Sequence, residues 1–197
     1  MKKRSATVRR KTSETDISIS LCLDGNGTYK VSTGIAFLDH MLELLAKHSL
    51  VDLVINARGD LNVDYHHTVE DIGLALGEAF NKALGKRAGI TRYGWGLIPM
   101  DEVLSQVVVD LGGRPFLVMR MATRKKKIRD FDLGLIEEFF RGFTVQGRLN
   151  LHVNQMYGEE PHHAYEAVFK ALAKAMKMAV CIDKRQKGAL PSTKGKI

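Results

Sequence analysis

The residues with the clearest chemical potential form two copies of one short motif, His-His-x-x-Glu. The copies are His66, His67 and Glu70, and His162, His163 and Glu166. In a helix, residues four apart share a face, so the first histidine of each copy can stand beside its glutamate. Imidazole and carboxylate together suit Mn, Fe, Ni or Zn, and the lack of thiolate ligands argues against a structural zinc site. One copy is a weak signal, but two equivalent copies predict a metal centre.

The second histidine of each pair faces a different direction from the first. A helix turns once in 3.6 residues, so His67 is rotated by about 100° from His66, and His163 likewise from His162. One metal cannot easily take both neighbours, whereas a second metal or a site across an interface can. The sequence therefore predicts two sites with exchanged ligands.

A further predicted helix in each half can add one ligand. It carries Asp39-His40 in the first half, and the matching point of the second half is Glu137-Glu138. With His40 and Glu138, each ligand set would reach four protein donors and leave two octahedral positions open. The alternative is that Glu138 faces solvent or pairs with Arg141, leaving a three-ligand site.

An internal repeat sets the elements that position these motifs. At an offset of 96 residues, HHTVEDIGLALGEAFNKAL lies over HHAYEAVFKALAKAMKMAV, and both have apolar residues at helical spacing. Each half is predicted as β-β-α-β-α, with strands at 16–23, 29–33 and 51–56, then 103–110, 116–121 and 149–153, and further helices at 35–47 and 133–146. A turn at 24–27 suggests that the first two strands form a hairpin. The fold class predicted is α+β, with two sheets and four helices packed on them.

The repeat also divides the chain. Residues 1–89 form the first half, 90–184 the second, and 185–197 a basic C-terminal tail within one intertwined domain. The tail is polar with Gly and Pro, so we expect it to be disordered unless a ligand holds it.

Composition narrows the class of protein. The 197 residues carry a formal charge of +8, including Lys125, Lys126 and Lys127 in one run, which favours an anionic partner such as a phosphate or a nucleic acid. No apolar run approaches the roughly 20 residues that span a bilayer, and no apolar segment follows the basic N-terminus. The two cysteines, Cys22 and Cys181, are far apart. We expect a cytoplasmic protein with no membrane association.

Several segments resemble the imidazoleglycerol-phosphate dehydratase family. They are RKTSETDI, FLDHML, DYHHTVEDIGLALG, PMDE, DLGGRP, EEFFRGF, LNLH, YGEEPHHAYEAVFKAL and PSTKG, and they span about residues 9–195. The resemblance implies a cytoplasmic lyase of histidine biosynthesis that dehydrates imidazole glycerol phosphate to imidazole acetol phosphate. It also implies two Mn²⁺ per active site binding the imidazole or imidazolate ring, and a homo-oligomer of 24 subunits with sites between subunits. The family often has Glu-His-Phe-Phe where this chain has Glu137-Glu138-Phe139-Phe140.

The resemblance also assigns roles. It makes Glu14 the residue that moves protons, alongside the motif residues His66, Glu70, His162 and Glu166. The substrate phosphate would be bound by Arg92, Arg114, Lys170, Ser192 and Lys194. Without the resemblance, Glu14 would be an ordinary turn glutamate and each of these cations an ordinary surface residue.

Two other functions remain open at this stage. A di-metal hydrolase would have similar ligands and would release inorganic phosphate from the substrate rather than form a ketone. A basic nucleic-acid-binding module would suit the charge, but the chain has no aromatic-interleaved basic strand or helical reading motif, and no nucleic acid is expected as a partner.

Overall fold

The structure is a computed structural model that describes residues 3–197. It is α+β with four helices and two four-stranded sheets, which confirms the predicted fold class. The first half contains β1 (Ser5–Lys11), β2 (Thr15–Cys22), β3 (Tyr29–Ser32), α1 (Ala36–Ser49), β4 (Asp52–Gly59) and α2 (His66–Leu84). The second contains β5 (Tyr93–Met100), β6 (Val103–Asp110), β7 (Phe116–Arg120), β8 (Lys127–Ile128), β9 (Phe131–Asp132), α3 (Gly134–Gly147), β10 (Asn150–Tyr157) and α4 (Pro161–Ala179).

Each half begins with a strand that the sequence pattern did not predict. In β1 only Val8 is buried, so the apolar alternation is too weak to reveal a strand. In β5 the inward positions include Gly94 and Gly96, which suggest a loop in a sequence pattern. A Cβ at either position would collide with carbonyl oxygens of α4, those of Ala175 and Ala171. The glycines therefore let this strand lie directly against the helix.

The sheet order corrects the predicted hairpin. The sheets run β1-β2-β4-β3 and β5-β6-β10-β7, so β4 lies between β2 and β3, and β10 between β6 and β7. In the first sheet, β3 pairs with β4 in parallel through the crossover helix α1. The turn after β2 is held to the start of β4 because the Asp52 carboxylate accepts hydrogen bonds from the Asn26 and Thr28 amides, at 2.9 and 3.0 Å. This long-range contact is invisible to local turn signals.

The helices lie between the two sheets and pair across the halves. α1 packs on α4, and α2 packs on α3, while α2 also contacts β1 and β2 and α4 contacts β5 and β6. The α2–α3 contact is close because it uses glycines. A Cβ at Gly77 would lie 2.6 Å from the Phe143 carbonyl oxygen, and one at Gly142 would lie 2.9 Å from the Leu74 nitrogen. The core is therefore shared by both halves of the repeat.

The segment between α2 and β5 is fastened to the second half by a buried arginine. The Arg87 guanidinium donates to the carbonyl oxygens of Leu111, Gly147 and Arg148 and to Oδ1 of Asn81. Four acceptors around one cation satisfy its buried donors.

The C-terminal segment does not follow the expectation that only a ligand would order it. It starts with a short 3₁₀ helix, Lys184–Gln186, and then lies against the second half, where the Pro191 carbonyl oxygen accepts a hydrogen bond from Arg92 Nη1 at 2.8 Å. Ile197 reaches Gly113. Within residues 3–197, no helix is long and apolar enough to cross a membrane.

Candidate metal centre

Both His-His pairs lie at helix N-termini, as the repeat predicted. His66 and His67 open α2, and the Asp64 carboxylate accepts from the His66 amide at 2.7 Å. In α4, Pro161 occupies the first turn and the Glu160 side chain accepts from the His162 amide at 3.3 Å. These carboxylates accept from amides that the helices leave free, so each helix starts at its motif.

One cluster of three potential metal ligands is assembled within the chain. Nε2 of His40 on α1 and Nε2 of His162 on α4 each lie 3.2 Å from Oε2 of Glu166. The three ligand atoms all lie within 4.8 Å of one another. For a metal with bonds of about 2.1 Å, neighbouring ligands at right angles are about 3 Å apart. The spacing of these two imidazoles and one carboxylate therefore fits an N/O-ligated divalent cation.

Glu166 is ionised and held in place. Burial opposes ionisation of this carboxyl, but hydrogen bonds from Lys170 and His40 outweigh it, so the pKa of Glu166 lies below the ordinary glutamate value. Nζ of Lys170 lies 2.6 Å from Oε1, which leaves Oε2 to the two imidazoles. The side chain of Glu166 is 10% exposed. A buried anion facing two imidazoles is a receptive environment for a cation.

The first-half motif is less complete. Nε2 of His66 lies 3.4 Å from Oε2 of Glu70, and both side chains are almost half exposed. Oε2 of Glu138 lies 3.3 Å from Nε of Arg141, and Glu137 also binds that arginine. Within residues 3–197, the only group of three convergent metal-binding side chains is the one around Glu166. Ligation by Glu138 stays a prediction, and its ion pair with Arg141 is the arrangement that we named as the alternative.

The off-face histidines each bind a carboxylate through Nδ1. Nδ1 of His67 lies 3.0 Å from Oδ2 of Asp60 and 3.8 Å from Oε2 of Glu14. Nδ1 of His163 lies 3.0 Å from Oε2 of Glu102. The hydrogen bond to Asp60 raises the pKa of His67, and the hydrogen bond to Glu102 raises the pKa of His163. Sequence reasoning missed Asp60 and Glu102, although Glu102 precedes β6 as Glu14 precedes β2.

The predicted phosphate-binding residues fall into two groups. Arg92 forms an ion pair with Asp110 at 2.7 Å and binds the tail at Pro191, next to Ser192 and Lys194. Arg114 adjoins Gly113, where the tail ends. The fifth residue, Lys170, stands apart on α4 beside Glu166.

The tail group and the metal cluster occupy opposite ends of α4. The Arg92 amide donates to the carbonyl oxygen of Ala179, the last residue of that helix, whereas His162 is its second residue. Seventeen residues of helix correspond to about 25 Å. The chain therefore does not bring its own tail to its own cluster.

A cavity of about 450 Å³ opens beside the cluster. His40 and His162 line it together with the aromatic side chains of Phe37, Tyr65 and Phe131. A planar ring could stack against such a wall with its edge toward the two imidazoles.

Comparisons with known proteins point in one direction. The family model described as imidazoleglycerol-phosphate dehydratase matches residues 33–176. A protein of that name from Nitrobacter hamburgensis is 53% identical over 194 residues, covering 98% of both chains. The crystal structure of the Staphylococcus aureus enzyme of that name has a TM-score of 0.82 at 37% identity and covers 91% of this chain and 99% of its own. The Pyrococcus furiosus structure, a complex with (S)-C348, has a TM-score of 0.84 at 35% identity and covers 96% and 100%.

Proposed function

The chain belongs to the imidazoleglycerol-phosphate dehydratase family of hydro-lyases, and on that premise we propose that it dehydrates imidazole glycerol phosphate to imidazole acetol phosphate at a two-manganese centre. The step serves histidine biosynthesis. The observation that carries the proposal is the convergence of His40, His162 and Glu166 on one point beside an aromatic cavity.

The metal ligands we propose come from both motifs. They are His40, His66, His67, Glu70, Glu138, His162, His163 and Glu166. When bound, the two Mn²⁺ ions supply positive charge that orients the imidazole ring and stabilises negative charge developing on it. The oxygen and nitrogen donors of the Glu166 cluster suit that ion, since carboxylate favours Mn and no thiolate is needed.

The protein must also move protons, and Glu14 is the residue that we propose for this work. Dehydration removes a hydroxyl from the carbon next to the ring and a proton from the following carbon, which is not acidic on its own. The Glu14 side chain is half exposed, and its carboxylate lies beside His67 without a close hydrogen bond to it. It is therefore free to approach a substrate atom.

Binding of the substrate phosphate requires cations and hydrogen-bond donors. We propose that Arg92, Arg114, Ser192 and Lys194 bind it with Lys170, which requires a tail from one subunit to meet α4 of another. Two features support sites between subunits: the distance of about 25 Å between a chain's own tail and cluster, and the off-face histidines, which do not join the Glu166 cluster of their own chain. We propose a 24-subunit homo-oligomer, which light scattering or native mass measurement would test. A monomer that is fully active would contradict it.

The function itself is tested by the products. The purified protein with Mn²⁺ should convert imidazole glycerol phosphate to the imidazole ketone without releasing inorganic phosphate. Release of inorganic phosphate would favour the di-metal hydrolase instead. Both cysteines are free in the structure, which suits the cytoplasm that we propose as its compartment.

A further inference from the structure

The two off-face histidines are held by carboxylates that differ between the halves. His67 is bound by Asp60, the residue that follows β4. The residue that follows β10 in the second half is Gly158, which has no side chain to offer. There, His163 is bound by Glu102, the residue that precedes β6. The carboxylate that binds the off-face histidine thus comes from a different structural position in each half.

Because a different residue binds the histidine in each half, the two equivalent glutamates have different hydrogen-bond partners. Glu14 and Glu102 occupy the same place in the repeat, directly before β2 and β6. Glu102 is fully engaged, since Oε2 binds His163 and Oε1 accepts from the Glu160 amide at 3.1 Å. Glu14 stands 3.8 Å from His67 Nδ1, a position that Asp60 has taken at 3.0 Å.

We propose that Asp60 and Glu102 are positioning residues that fix His67 and His163 for metal binding, and that Asp60 thereby releases Glu14 from this task. The inference rests on the proposed metal centre. A carboxylate on Nδ1 places the ring proton there, turns the ring and leaves the Nε2 lone pair free as a ligand. His40, His162 and His66 also direct Nε2 toward their glutamates, so Nε2 is the atom that these histidines would offer to a metal.

Asp60 has features of a residue that is not present for stability. Its Oδ1 is buried, and among residues 3–197 it finds no hydrogen-bond partner. A buried polar atom without a partner costs free energy, so a neutral replacement at this position should be tolerated by the fold. The role of Asp60 then rests on Oδ2, which binds Nδ1 of His67.

The experiment measures Mn²⁺ affinity of the metal-depleted, assembled protein from the electron paramagnetic resonance signal of free Mn²⁺. Asp60→Ala and Glu102→Ala should each weaken the affected site by about 10- to 100-fold. Glu14→Ala should change affinity by less than about 2-fold, and Asp60→Ala/Glu14→Ala should be weaker than Asp60→Ala because Glu14 is near enough to replace the lost aspartate. Glu78→Gln, which removes an exposed charge on the same helix as His67, is the matched control and should match the wild type.

Glu102→Gln guards against a folding defect, because the glutamine oxygen can still accept a hydrogen bond from the Glu160 amide. The substitution removes only the negative charge of residue 102 that faces His163. It should also weaken Mn²⁺ binding. Wild-type Mn²⁺ affinity in both Asp60→Ala and Glu102→Gln would overturn the positioning role alone. Equal weakening by Glu14→Ala and Asp60→Ala would overturn the claim that Asp60, and not Glu14, positions His67. If the wild-type protein takes up no Mn²⁺, the metal centre of the proposed function falls, and the positioning role with it. Uptake without dehydration would refute only the reaction.

Discussion

The two His-His-x-x-Glu motifs are nearly identical in sequence but sit in different surroundings. Glu166 is buried, has Lys170 on one oxygen and faces two imidazoles on the other. Glu70 is almost half exposed, and the position equivalent to Lys170 is Leu74. The neighbouring helix carries the imidazole of His40 beside one motif and the carboxylate of Glu138 at the equivalent place in the other half. Glu138 instead forms an ion pair with Arg141. A repeated motif thus repeats the residue types but not the charge balance around them.

Removing the metal should have the largest effect and tests whether either motif is a metal site. Chelation should reduce dehydratase activity to background, and added Mn²⁺ should restore it, because both ligand sets need the cation to hold substrate. Activity is assayed before and after dialysis against chelator, with a mock-dialysed sample as the control. Full activity in a sample shown to be metal-free would mean that the motifs serve another purpose.

Truncating the two glutamates separately should break the apparent symmetry. In the metal-free protein, Glu166→Ala should lower the free energy of unfolding by about 2 kcal/mol, because it leaves the Lys170 ammonium without its partner. Glu70→Ala should cost less than about 0.5 kcal/mol, since that side chain is exposed. Denaturant unfolding at one protein concentration provides the measurement. Equal losses would show that the difference in burial has no energetic consequence.

Replacing Lys170 by leucine gives the second motif the surroundings of the first. Lys170→Leu should destabilise the metal-free protein by about 1 kcal/mol, a partial effect because the lysine is partly exposed. It should also raise KM for the phosphorylated substrate about 10-fold or more, as loss of a charged partner of a phosphate does. Lys174→Leu on the same helix is the control. An unchanged KM would assign Lys170 to Glu166 alone.

The smallest effect on stability should come from Glu138, whose pair with Arg141 is partly exposed and contributes only about 0.5 kcal/mol. Its effect should appear in metal content instead. Glu138→Gln should lower occupancy of one of the two metals, and Glu138→His should restore it by copying His40. Metal analysis of the purified variants decides, and two bound ions in Glu138→Ala would exclude the glutamate as a needed ligand.

Local patterns in the sequence predict much of this molecule. The apolar spacing of α2 and α4 and the alternation in β2 and β6 are strong enough to locate those elements. Neither β1 nor β5 could be predicted from the pattern, because β1 has only one buried residue and β5 has glycines on its inward face. The strand order could not be predicted because β2 and β3 each pair with β4, more than twenty residues further along the chain, and not with each other. At the site, the motif histidines and His40 follow from spacing and repetition. Asp60 and Glu102 become relevant only when the chain brings them beside His67 and His163.

The pairing of helices across the halves has a consequence for the history of the chain. Because α1 packs on α4 and α2 on α3, one half alone would expose the apolar faces of both its helices. An ancestor with a single copy of the repeat would have needed a twin polypeptide, so gene fusion here would have replaced association between two molecules. A chain severed between Leu84 and Gly89 should accordingly yield two fragments that are insoluble apart and reconstitute when refolded together.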